Sequence, residues 1–197
     1  MSRLIESIYL KDGEFRNLKY HQLRVESSSK ELFGVSNKWT LENKLQSSEY
    51  PESGLYKVRV IYDTEVRQIE FVPYLTKPVQ SLKLISSDTI SYAHKFENRQ
   101  TLNELYQQRE GCDDIIIVRS GFVTDASYAN LIFRKGDEWF TPATFLLAGT
   151  MRAFLLDSNQ IKSTEIRVED VVKYESCKLI NAMLGMDAPE IPLSSIV

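Results

Sequence analysis

The sequence predicts an α+β chain of two small, mixed, mostly antiparallel domains, and three observations carry that prediction. The period of the apolar positions switches between two and about 3.6 residues along the chain. Turn-forming groups, among them Lys11-Asp12-Gly13, Asp63-Thr64-Glu65 and Lys135-Gly136-Asp137-Glu138, separate the alternating runs closely enough for hairpins. The stretch LTKPVQ at 75–80, with Pro73 and Pro78 around it, breaks both patterns. It marks the boundary between a smaller N-terminal domain, 1–76, and a larger C-terminal one, 77–197.

Taken in order, residues 3–10 and 14–16 read as a short hairpin around Asp12-Gly13, a pair that tolerates positive φ. Asn17 is placed as the N-cap of a helix that stops at Gly34, and a second helix fits 39–47. After the turn PESG at 51–54, LYKVRVIYD and VRQIEFVPY alternate and form an antiparallel hairpin. The second half opens with a strand at SLKLIS and a helix from about Glu97 to Arg109. Three strands follow over 113–142. Helices at 150–157 and 169–174 then flank one more strand, IKSTEIRV.

Composition narrows the function. The chain has 24 basic and 27 acidic residues, interspersed, for a formal charge of -3, which gives no footprint for nucleic acid or an anionic membrane. No stretch is long enough for a signal peptide or a spanning helix, so a cytoplasmic protein with a small-molecule partner is expected. Cys112, Cys177, His21 and His94 lack metal-ligand spacing, and no metal is expected.

Four places look unlike routine structure. Arg59 sits mid-strand among Val58, Val60 and Ile61, facing either solvent or a site. Lys95 follows two aromatics and precedes a helical stretch, where a solvated cation is the ordinary reading. Asp125 lies among the small residues of VTDASYAN, where aspartate commonly builds a turn. Gly149-Thr150 opens a helix after the apolar run FLLA, a place where backbone N–H groups can hold an anion.

In this order the segments resemble the class IV aminotransferase family, the fold-type IV pyridoxal phosphate enzymes. The resemblance rests on Arg59 in its strand, K-x-x-N-R at 95–99, VTDASYANLIF, Thr141-Pro142 and LLAGTMR at 146–152. LIESIYLKDGEF, HQLR at 21–24 and KLINAML at 178–184 extend it over nearly the whole chain. It implies the fold of the D-amino acid aminotransferases and a pyridoxal 5′-phosphate cofactor. Lys95 would hold the cofactor as a Schiff base, its amine kept reactive by a partly desolvated pocket to which Tyr92 and Phe96 contribute. Asp125 would keep the pyridine nitrogen protonated, in a position where the family usually has glutamate. Arg59 and the backbone around Gly149, Thr150 and Met151 would take the phosphate, with further contacts from Asn181 and Ala182. His21 and Arg24 read as a packing pair.

K-x-x-N-R and INAML resemble the aminodeoxychorismate lyase branch, which releases pyruvate from a small amino compound. The arginine-rich loop of that branch is reduced here to TEVRQIEF, with Arg67 as the one candidate, and the chain starts almost at the first strand. An aminotransferase of branched-chain or D-amino acid type, or an inactive cofactor-binding relative, stays open. A homodimer is expected, from the small size of each half, from the aromatics Tyr56, Tyr62, Phe71 and Tyr74, and from the resemblance.

Overall fold

The computed structural model describes residues 2–197. The chain divides into a first compact unit that runs to Thr76 and includes His94–Asn98, and a second of Lys77–Ala93 and Arg99–Val197.

The first unit contains β1 (Leu4–Lys11), β2 (Glu14–Phe15), α1 (Leu18–Phe33), α2 (Leu41–Gln46), β3 (Leu55–Tyr62) and β4 (Val66–Pro73). Its antiparallel sheet has the order β2-β1-β3-β4. The first hairpin forms at Asp12 and Gly13, whose φ values of 48° and 81° are those a tight two-residue turn demands. Alternation sends Leu4, Ile8, Leu10, Val58, Val60 and Tyr62 to one face, where they form a core with Val25 of α1, Leu41 and Leu45 of α2, and Trp39. Tyr62 is buried there, and Tyr56 and Phe71 pack against the same core. These aromatics are therefore covered within their own unit and do not form the uncovered patch read from the sequence. Asn17 does occupy the N-cap of α1, but in the left-handed region at φ 58° and without a side-chain cap bond. Gly34 ends the helix as expected, at φ 68°.

The segment His94–Asn98 closes the free edge of β1. Leu4 bridges Phe96, the Ile5 N–H donates to the Lys95 carbonyl at 2.9 Å, and the Glu97 N–H donates to the Arg3 carbonyl at 2.9 Å. Lys95 therefore folds with the first unit, not within the C-terminal domain where its place in the sequence put it. Phe96, packed on the first core, anchors it there.

The second unit contains β5 (Leu82–Ser86), α3 (Gln100–Tyr106), β6 (Asp114–Arg119), β7 (Phe122–Ala126), β8 (Asn130–Lys135), β9 (Glu138–Pro142), α4 (Thr150–Asp157), β10 (Lys162–Thr164), β11 (Ser176–Ile180) and β12 (Ile191–Pro192). They build one sheet of order β10-β9-β8-β7-β6-β5, with β11 paired to both β8 and β12. Two pairs, β5–β6 and β9–β10, are parallel, so the sheet is mixed. The region 113–142 holds four strands where three were expected, because Ser127-Tyr128-Ala129 turns the chain between β7 and β8. α3 starts later than predicted, since residues 94–98 are used by the first unit. In β6, Ile115 and Ile117 pack with Leu102 of α3 and Leu146, while Ile116 faces the larger core of Leu82, Leu131, Phe133 and Leu179. That double burial explains the unbroken apolar run Ile115–Val118. No helix among the described residues is long and apolar enough to cross a membrane.

Candidate active site

In the first unit, Lys95 is half-buried at the edge beside β1. Next to the residue that holds its carbonyl lies Glu6, whose side chain is fully buried and turns toward α1. His21 Nδ1 donates to Glu6 Oε2 at 2.5 Å, and Arg24 donates from Nε to Oε1 at 2.8 Å and from Nη2 to Oε2 at 2.6 Å. Burial pushes the Glu6 carboxyl up, but the Arg24 charge and the bonds from His21 and Arg24 outweigh it and hold the group at about 2. Burial holds the His21 imidazole neutral against the pull of Glu6, and the positive charges of Arg24 and Lys95 act in the same direction as burial. His21 and Arg24, read from the sequence as a packing pair, thus lie within electrostatic reach of Lys95 around one ionised carboxylate.

Arg59 is placed differently. Its Nη1 donates to Glu70 Oε2 at 2.6 Å across β3–β4, with its side chain 35% exposed. In the same hairpin, Arg67 Nε grips both oxygens of Asp63 at 3.0 and 2.9 Å, and Asp63 also accepts the Glu65 N–H at 3.1 Å. Arg67 is a clamp on its own turn.

In the second unit, Asp125 lies at the end of β7, 5% exposed. Its Oδ2 accepts the N–H groups of Leu146 and Leu147 at 3.0 and 2.9 Å, and its Oδ1 accepts Asn130 Nδ2 at 2.7 Å. Burial raises the carboxyl to about 6, and the Leu147 amide, Asn130, the Leu146 amide and the charge of Arg152 only partly offset it. Three short-range donors thus aim a buried carboxylate, while no ion pair among the described residues fixes it.

Gly149 is the N-cap of α4 and has no side chain to cap the first amides. A Cβ built there would meet Asn130 Oδ1 at 1.8 Å, so glycine is demanded by close approach, and φ is an ordinary -73°. Asn130 therefore links the two halves of the proposed cofactor cradle: Nδ2 bonds both Asp125 and the Leu147 carbonyl, while Oδ1 overhangs Gly149. Thr150 and Met151 are buried in the first turn of α4, which follows this glycine. Asn181 turns its amide oxygen to the N–H groups of Met183 and Leu184, at 2.8 and 3.1 Å, and so builds the turn that carries Ala182. Asn130 was not among the residues read from the sequence as cofactor contacts, and Arg24 was read only as a packing partner of His21. The signals for them were the N of VTDASYAN, five residues after the aspartate, and the arginine of HQLR. No group of three or more metal-ligating side chains occurs among the described residues.

Residues 3–188 match the family described as amino-transferase class IV. The chain belongs to that family. Class IV members are pyridoxal phosphate-dependent enzymes, and this chain is one of them. A Haemophilus influenzae protein of unassigned activity is 37% identical over 188 residues, covering 94% of this chain and all of its own. A Schizosaccharomyces pombe protein, provisionally described as an aminodeoxychorismate lyase, is 28% identical over 179 residues, covering 81% of this chain and 75% of its own. A solved structure from Haemophilus somnus, provisionally described as a 4-amino-4-deoxychorismate lyase, superposes with a TM-score of 0.88 at 37% identity, covering 94% of this chain and 98% of that one. The class IV donor set fits what the second unit presents: an acceptor-only carboxylate aimed by neutral donors, and a side-chain-free helix start beside it.

Proposed function

We propose that this class IV enzyme acts on a small amino compound in an aminodeoxychorismate lyase-like reaction that releases pyruvate. The observation that carries the site is Asp125: a carboxylate with neutral hydrogen-bond donors and, among the described residues, no contacting cation keeps its affinity for a protonated ring nitrogen. When bound, pyridoxal phosphate supplies an electron sink for the bonds around the substrate's amino carbon. Lys95 would hold the cofactor and, once released from it, would carry protons at its Nζ. Thr150, Met151 and the amides at Gly149 would receive the phosphate at the positive end of α4.

For the phosphate's guanidinium the candidate stays Arg59, as the family resemblance implies. Arg59 is 35% exposed and donates to the part-exposed Glu70, whereas Arg24 is 11% exposed and held bidentately by the buried Glu6. Asn181 and Ala182 remain candidate contacts through the turn they form. The lyase reading is supported by the two relatives so described. An aminotransferase reading is favoured by one observation: Arg67, the candidate lyase-loop arginine, is committed to Asp63. A homodimer in the cytoplasm is our further expectation, supported by the exposed apolar side chains of Val72 on β4 and Leu75 just beyond it.

The test is direct. Purified protein supplied with pyridoxal phosphate should gain a visible absorption band and a higher melting temperature by mass action. Pyruvate released from aminodeoxychorismate with no amino acceptor present supports the lyase, and ping-pong kinetics with a keto acid supports the aminotransferase. Light scattering from active protein at the mass of one 22.7 kDa chain would remove the dimer.

A further inference from the structure

The loop between β9 and α4, residues 143–149, is unusual in that two of its amides, those of Leu146 and Leu147, grip Asp125. A surface loop left to itself would not hold two N–H groups on one oxygen, so something must tie it down. Arg152 is placed to do that. It lies on the first turn of α4, is 8% exposed, and reaches back to the strand the loop left. Its Nε donates to Thr141 Oγ1 at 3.2 Å, and its Nη2 donates to the Pro142 carbonyl at 3.1 Å and to Ser163 Oγ at 3.3 Å. Its guanidinium carbon sits 4.2 Å from the centre of the Phe145 ring, which belongs to the loop itself.

These contacts join the end of β9, the middle of the loop, the start of α4 and β10. They also leave a buried arginine whose hydrogen-bond acceptors are a carbonyl and hydroxyls, an arrangement costly for a fold to keep unless the charge has another use. The nearby ionisable partner is Asp125, whose charge acts on Arg152 across the loop. Among the other elements around Asp125, β8 contributes the neutral Asn130, β6 the apolar run Ile115–Val118 and, at its start, the buried Asp114, which bonds to Ser127, while Arg99 Nη2 donates to the Ser127 carbonyl at 2.6 Å.

We infer that Arg152 is a positioning residue that staples loop 143–149 between β9 and α4, so that the loop's amides stay aimed at Asp125 and a fixed positive charge stands behind them. Arg152 itself touches no reacting atom. The inference rests on the reading of Asp125 as the ring-nitrogen partner only for its effect on cofactor binding, not for its effect on Asp125.

The experiment uses the full chain labelled with ¹³C at the aspartate carboxyl carbons, free of cofactor, in wild type, Arg152→Met, Arg152→Lys and Thr141→Val. The Asp125 resonance is assigned by its loss in Asp125→Asn, and its titration is followed from pH 4 to 9. Losing both the staple and the charge should raise the Asp125 midpoint in Arg152→Met by at least about half a unit, because both effects favour the protonated carboxyl. Arg152→Lys, which keeps the charge but not the planar fork, and Thr141→Val, which keeps the arginine but removes one anchor, should show smaller rises. A wild-type midpoint in folded Arg152→Met overturns the inference. If that variant does not fold, a wild-type midpoint in both other variants overturns it instead. Pyridoxal phosphate titrations on the same proteins separate the two readings. A raised midpoint with weakened cofactor binding supports both, while a raised midpoint with unchanged binding upholds the staple and removes Asp125 from the ring site.

Discussion

Among the buried carboxylates of this chain, Glu6 in the first unit and Asp125 in the second are treated in opposite ways. Glu6 is enclosed by a neutral imidazole and a bidentate guanidinium and is held ionised down to about 2. Asp125 is as deeply buried, but its contacts are two amides and a carboxamide, and it sits at about 6. A charge already matched by a contacting cation orders its surroundings and has little pull left for a ligand. A charge held by neutral dipoles stays available to a cation that arrives later. The difference separates a structural carboxylate from one suited to a cofactor.

The largest effect that would break this comparison is on turnover. Asp125→Asn should retain the fold by circular dichroism and lower kcat by about a thousandfold or more, since the developing negative charge loses its electrostatic support. Near wild-type rates would place Asp125 among structural carboxylates like Glu6. Gly149→Ala comes next. Its methyl group would overlap Asn130 Oδ1, so Asn130 must move and release both Asp125 and the Leu147 carbonyl. We expect cofactor affinity to fall at least about tenfold, read by absorbance titration, with part of the loss recovered when Asn130→Ala is added.

Glu6→Gln should act mainly on stability. Removing one member of a buried charged pair leaves Arg24 without its counter-ion, at a cost of about 3 kcal/mol in urea unfolding. An unchanged midpoint in urea would show that Glu6 is not the electrostatic anchor of its unit.

The smallest effects are in the pH dependence of the cofactor-free protein, where the two groups have opposite signs. The Glu6 carboxyl is depressed on folding, so its contribution is present above the ordinary 4.5 and is lost as pH falls toward 2. The Asp125 carboxyl is raised, so its contribution is present below 3.8 and is lost as pH climbs to about 6. Unfolding measured across pH 2–7 should therefore show Glu6→Gln flattening the acid limb and Asp125→Asn flattening the limb between about 4 and 6. A flat response in that upper window for wild type would contradict the assigned burial of Asp125.

The elements that local chemistry sets were legible in the sequence. The Asp12-Gly13 turn, the stop at Gly34, the 55–62 and 66–73 hairpin and the start of α4 all follow from residues within a turn or two of each other. What the sequence hid depends on partners far along the chain. Lys95 belongs to the first unit because Phe96 pairs with Leu4, some ninety residues away, and no periodicity records that. Arg59 looked anomalous mid-strand, yet the register of β3 on β4 sets Glu70 directly opposite it. The pairing that makes Arg24 interesting, with a glutamate eighteen residues earlier, needed the fold of α1 onto β1 to become visible. At Asp125 the motif pointed to the right residue, while the amides that define its environment come from a loop about twenty residues later.

The return of residues 94–98 to the edge of β1 also bears on how the chain is made. A ribosome releases the first seventy-six residues well before that segment, and until it emerges the Arg3–Ile5 edge stands with open N–H and C=O groups. The nascent first unit is then a sheet with an exposed border, which recruits strands from other chains unless folding waits or a chaperone covers it. A fragment cut at the apparent boundary near residue 76 inherits the same open border permanently. Adding a peptide that spans 94–98 in trans should restore its solubility.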